Sequence, residues 1–182
     1  LLEKGANATA TTKSGKTALN KAISEGNLGV ATVLVRHEPR LITMKDFGGS
    51  TPLMWACENA SSNKNGPLIV ELLLRYGGNE IVNDVDIHKR TAFDRLCMSS
   101  GNVRSAQLLL KAGARTRNVA SRTHLSHLML CAMNGHKELC RELLERYAAD
   151  PKSKNIRGFT AHQFAEINGH FLIAKIIQEK YQ

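Results

Sequence analysis

A three-residue start recurs through this chain of 182 residues: Thr17-Ala18-Leu19, Thr51-Pro52-Leu53, Thr91-Ala92-Phe93, Ser126-His127-Leu128 and Thr160-Ala161-His162. The starts lie 34, 40, 35 and 34 residues apart. Behind four of them comes Gly-Asn or Gly-His, at Gly26, Gly101, Gly135 and Gly169, and then an aliphatic run such as Val33-Leu34-Val35 or Leu108-Leu109-Leu110. Gly77-Gly78, Gly113-Ala114 and Ala148-Ala149-Asp150 close these runs. Self-similarity at such a period is the mark of a stacked array, because a unit this small cannot bury its apolar face alone.

Each piece has a local reason. Thr51 can cap a first helix through its hydroxyl, and Pro52 sits at the first helical position, where a missing N–H costs nothing. Ala56 and Cys57 are small where neighbouring units must approach closely. Gly26, Gly101, Gly135 and Gly169 permit a tight reversal. Ile69, Val70, Leu72 and Leu73 give a second helix an apolar face at helical spacing. Gly77 or Gly113 should end that helix in a left-handed conformation.

Start, reversal, aliphatic run and terminator together strongly resemble the ankyrin repeat, a unit of about 33 residues with a Thr-Pro-Leu-His start. The resemblance spans essentially the whole chain. It implies an all-α solenoid of stacked helix-turn-helix units with β-hairpin loops. Residues 1–13 read as the tail of a preceding repeat; repeats follow at 14–46, 47–86 (with an inserted loop), 87–121 and 122–154, and a C-terminal capping repeat at 155–182. Three departures stand out. The family's His of the start is Asn20, Met54, Asp94, Met129 or Gln163, so its hydrogen bond is expected to be absent in every unit. The polar stretch from Asn59 to Gly66 reads as a flexible surface loop. His162 stands where Leu is usual, and a more polar last unit suits a terminal cap.

Lys and Arg number 25 against 16 acids, a net charge of +9 that favours an acidic partner without naming one. No apolar run approaches the roughly 18 residues of a membrane span. Four cysteines without a CxxC pair or zinc-ligand spacing point to a reducing compartment, cytoplasmic or nuclear. Cys57, Cys97 and Cys131 fall at small core positions and read as inert thiols, as does Cys140 on a second helix. Trp55 is expected to pack between units, and His136 and His170 to be structural hydrogen-bonders. His124 and His127 lack a carboxylate or thiol nearby in sequence. No phosphate loop, nucleophilic set or metal-ligand cluster occurs, so catalysis, cofactor and metal are not expected.

The resemblance implies that partners bind the hairpin tips and the exposed side of the first helices, which line a concave face. Phe47, Ile87, Leu125, Ile156 and Phe159 form a candidate apolar stripe there, rimmed by Lys16, Arg90, Arg122 and Arg157, with Met98 and Met133 on the helices. Against it stands the plainer reading that such residues fold back onto the adjacent hairpin. From Arg95 to Lys137 no acid occurs, and Arg115, Arg117 and Arg122 share one hairpin. That basic finger could receive an acidic or phosphorylated segment. Equally, it could pair with Glu80, Asp84 and Asp86 of the preceding hairpin, at about 1 kcal/mol or less per exposed pair. The leading functional expectation is a non-catalytic protein-binding scaffold, the targeting module of a larger protein that begins before residue 1. Nucleic acid or anionic lipid bound through the basic region 95–137 ranks behind it, because aromatic residues do not alternate with the bases.

Overall fold

The computed structural model describes residues 5–78, 80–116 and 124–180. Among them ten α-helices follow in order: α1 Ala18–Ser24, α2 Leu28–His37, α3 Pro52–Glu58, α4 Gly66–Gly77, α5 Ala92–Met98, α6 Val103–Lys111, α7 His127–Met133, α8 Lys137–Arg146, α9 Ala161–Ile167 and α10 Phe171–Gln178. Odd-numbered helices stack on one another, even-numbered helices do the same, and each odd helix packs on the even one that follows it. The result is an all-α solenoid two helices thick. No helix of the described residues is long and apolar enough to cross a membrane.

The odd helices share a seven-residue grammar. Second, fifth and sixth positions are buried in the first four: Leu19, Ala22 and Ile23 in α1, for example, and Phe93, Leu96 and Cys97 in α5. All four cysteines are buried free thiols, and burial pushes those of Cys57 and Cys131 up in pKa, away from reactivity. In α9 the sixth position is Glu166, exposed and 3.4 Å from His162, where the earlier helices bury Ile23, Cys57, Cys97 or Ala132.

The caps correct one expectation. The family's His is missing, yet its hydrogen bond has substitutes. The N–H of Thr17 donates to Asn20 Oδ1 (2.9 Å), that of Thr91 to Asp94 Oδ2 (2.7 Å) and that of Thr160 to Gln163 Oε1 (2.9 Å). In the two methionine units the acceptor is sulfur, Met54 or Met129 Sδ, each at 3.4 Å. Four of the five cap hydroxyls accept in return from the N–H three residues on. Four of the five first helices therefore begin with a reciprocal pair of the kind that satisfies orphan N–H groups.

The hairpins are tight reversals; the single β-bridge outside helices joins Thr11 and Thr17 among the described residues. Their shared device is a side-chain oxygen that accepts from the N–H groups two and four residues on: Asp46 from Gly48 and Ser50, Asp86 from His88 and Arg90, Asn155 from Arg157 and Phe159. Thr12 Oγ1 does the same, more loosely, toward Ser14 and Lys16. The residue just before the last of these N–H groups is left-handed: Gly15, Gly49 and Gly158 at φ 81, 71 and 80°, but Lys89 at 62°. Backbone bonds tie successive tips, Phe47 N–H to Ser14 O (3.2 Å) and Ile87 N–H to Gly48 O (3.2 Å).

Units also interlock at the opposite edge. Gly101 and Gly135, at φ 56 and 77°, carry His136 and His170 of the next unit against the space where a Cβ would stand. His136 Nε2 makes no hydrogen bond here: it is buried without a partner among the described residues. Burial and the nearby His170 lower the His136 pKa, which keeps the ring neutral. The 59–66 insert is a brace, not a free loop. Asn63 covers Gly26, Asn65 Nδ2 donates to Gly26 O (2.9 Å), and Ser61 Oγ donates to Ser100 O (2.9 Å). After α4 the left-handed residue is Gly78 rather than Gly77, which is packed against Ile42 and Ile81.

Candidate protein-binding face

Beside the buried grammar, the fourth and seventh positions of each odd helix are exposed or half-buried, apart from the buried Leu130 of α7. Read along the stack, the fourth positions are Lys21, Trp55, Arg95, Leu130 and Phe164; the seventh are Ser24, Glu58, Met98, Met133 and Ile167. The row turns from charged to apolar between α5 and α7. Two cavities lie at its ends.

At the first end, about 580 Å³ is lined by Thr12, Lys16, Lys21, Ser24 and Trp55 among others. Trp55 is a hinge between units: its indole N–H donates to Asp46 Oδ2 (2.9 Å), and Lys16 Nζ stands 3.8 Å over its ring. Lys21 pairs with Glu25 at 2.8 Å. At the last end, about 300 Å³ is lined by Leu125, Asn155, Ile156, Arg157, Phe159, Phe164 and Ile167. The rings of Phe159 and Phe164 lie 5.9 Å apart.

The middle is held by a charge cluster. Arg95 donates from Nη1 to Glu58 Oε2 (2.6 Å) and from Nη2 to Ser50 Oγ (2.7 Å) and Asp86 Oδ2 (2.8 Å), so it fastens two units. Asp86 also receives Arg90 Nε at 2.9 Å. Burial would raise the Asp86 carboxyl, but the Arg90 N–H and the two guanidinium groups hold it below the usual range.

These facts place the expected binding residues. Phe47, Ile87 and Ile156 are exposed at tips, 75, 65 and 61% accessible, although the Phe47 ring edge meets the site a Gly15 Cβ would fill. Phe159 and Met98 are exposed to a lesser degree, while Leu125 and Met133 are half-buried against the core. Arg115 and Arg157 are exposed. Arg90 is engaged by Asp86, and Lys16 by Trp55. Arg117 and Arg122 lie outside the described residues.

Among the described residues of the two fingers the acids have other partners: Asp84 reaches back to Lys45 (3.4 Å), and Asp86 to Arg90 and Arg95. Among the described residues no ion pair joins Arg115 to them; its N–H is held by Asn83 Oδ1 (2.9 Å). Three of the bases of 95–137 have acidic partners. Arg95 is spent inside the stack, Arg104 pairs with Glu71 (3.2 Å) and Lys137 with Glu138 (3.3 Å).

One charged pair was missed by sequence reasoning, which left His127 without a carboxylate. His127 Nε2 lies 2.9 Å from Asp94 Oδ1 and Nδ1 lies 2.6 Å from Thr116 O, with both side chains buried. Both neighbours are acceptors, so both ring nitrogens must donate and the imidazole is a cation. Burial opposes that charge, yet the Asp94 bond outweighs it and brings the pKa up to about 9. Burial likewise raises Asp94, but His127 and Thr91 hold it below its ordinary value. The pair rivets α5 to α7 where the outer row changes character.

Compared with known proteins, the chain matches the profile of a family described as ankyrin repeats (3 copies) over residues 1–84 and 96–182. No curated protein matches it.

Proposed function

The chain belongs to the ankyrin-repeat family, and on that premise we propose that it is a non-catalytic scaffold binding an acidic or phosphorylated segment of a partner protein. Ankyrin repeats generally serve as protein–protein interaction modules. The observation that carries the reading is the tip row: Phe47, Ile87 and Ile156 stand in water at hairpin tips, with exposed Arg115 and Arg157 on the hairpins as well. Apolar groups kept in water at the rim of a rigid stack suit a covering surface.

Division into units near residues 14, 47, 87, 122 and 155 belongs to the same reading, supported by the repeated turn device at Thr12, Asp46, Asp86 and Asn155. So does a reducing compartment, cytosol or nucleus, supported by four buried free thiols. Nucleic acid or lipid as the ligand is not favoured, because Arg95, Arg104 and Lys137 of the basic region each have an acidic partner and aromatic residues do not alternate with the bases.

Affinity capture from lysate tests the reading, with the wild type beside a Phe47→Asp/Ile87→Asp variant and an Arg115→Glu/Arg157→Glu variant, all checked for equal folding by circular dichroism. A protein retained by the wild type and lost from either variant supports it. Equal retention by all three, or no retained protein, sinks it.

A further inference from the structure

Resting on the protein-binding reading, we infer that the cavity of the last repeat receives one bulky apolar side chain of a partner peptide whose neighbouring residues are acidic. Its size fixes the first half. About 300 Å³ is the bottom of the range of small-molecule sites, roughly 300–1,000 Å³, and suits a single large side chain.

The walls agree. Phe159 and Phe164 form the floor with rings tilted by 47°, and Ile156 and Ile167 are lips 61 and 67% accessible. The lining's Asn155 Oδ1 is already occupied by the N–H groups of Arg157 and Phe159, so an apolar guest strands no polar partner there.

Charge fixes the second half. Arg157 is exposed and is the one charged residue lining this cavity among the described residues. Acidic neighbours on the guest would meet it without a competing carboxylate in the lining. A second copy of this chain fits poorly as the occupant, since it would bring a net charge of +9 against +9. The opposite end of the row is roomier and is lined by Lys16, Lys21 and Trp55.

The test is selection of random 12-residue peptides displayed on phage against the full chain, followed by fluorescence anisotropy of the enriched peptides. Enriched sequences should share one large aliphatic or aromatic residue flanked by Asp or Glu. Their affinity should fall about tenfold or more in Ile167→Asp and about three- to tenfold in Arg157→Glu, with a weaker salt dependence in the latter. It should stay within about twofold in Val33→Asp, an exposed position of α2 that is not part of the tip row. Ile156→Asp, on the opposite lip, repeats the test if Ile167→Asp disturbs folding. Peptides that bind Ile167→Asp and Ile156→Asp as well as the wild type, or that carry basic flanks, overturn the inference. So does a selection that enriches nothing. The protein-binding reading then still stands if the lysate experiment retains a tip-dependent protein, so the two failures are distinguishable.

Discussion

The two ends of the outer row share a backbone and differ in chemistry. In α1 and α3 the fourth and seventh positions hold Lys21, Ser24, Trp55 and Glu58; in α7 and α9 they hold the buried Leu130 and, outside it, Met133, Phe164 and Ile167. The buried positions hardly change between α1 and α7, being Leu, Phe, Ala, Cys or Ile throughout. Stacking thus consumes one set of positions and leaves another to be specified independently, and the array can be charged at one end and apolar at the other without a cost to packing.

The largest expected effect comes from the rivet between the halves. Asp94→Ala leaves the His127 cation buried without its carboxylate and should cost about 3–5 kcal/mol, measurable by urea unfolding. A cost under 1 kcal/mol would mean that the two halves are joined by packing alone. The pair also gives stability a pH signature. His127 has a folded pKa raised to about 9 from 6.5, so its contribution is full below the unfolded value and lost as pH rises through about 9. Asp94 is depressed, so its contribution is present above the ordinary carboxylate value and lost as pH falls through its folded one. Melting temperature should therefore decline from near pH 6.5 toward pH 9, and His127→Gln should flatten that decline.

Leu109→Ala, a fully buried truncation in the shared core, should cost about 2–5 kcal/mol. Below its lowered midpoint it should leave peptide binding at the last cavity intact. Lys16→Ala should cost about 0.5–1 kcal/mol and leave the last cavity untouched; equal losses at both ends would erase the distinction drawn between them. The smallest effect belongs to a tip. Lys89 holds the left-handed position that glycine fills at 15, 49 and 158, and Lys89→Gly should raise stability by up to about 1 kcal/mol. A loss on calorimetry would show that Lys89's own interactions outweigh its backbone.

Most of the fold was legible because each unit repeats its own instructions: a Thr or Ser cap, small buried residues, a glycine at the reversal. What escaped lies between units. Asp94 and His127 are 33 residues apart and meet only after two repeats stack; neither reads as anything but surface when taken alone. The 59–66 insert looks like any polar loop until Gly26 and Ser100, from the units before and after, supply its acceptors. Met54 and Met129 gave no warning that sulfur would stand in for an imidazole. The outer row was partly visible, since Met98 and Met133 were identified, but the switch from charged to apolar needs the helices aligned in register.

The turn device at the tips has a consequence for how such a surface changes over generations. At Lys13, Phe47, Ile87 and Ile156 the residue after the anchoring Thr, Asp or Asn is exposed, and where a tip-to-tip bond forms at Phe47 and Ile87 it uses the main chain. The side chain there takes no part in that bond. Point mutations can therefore respell the tips one letter at a time, trading one partner for another while the scaffold beneath keeps its shape.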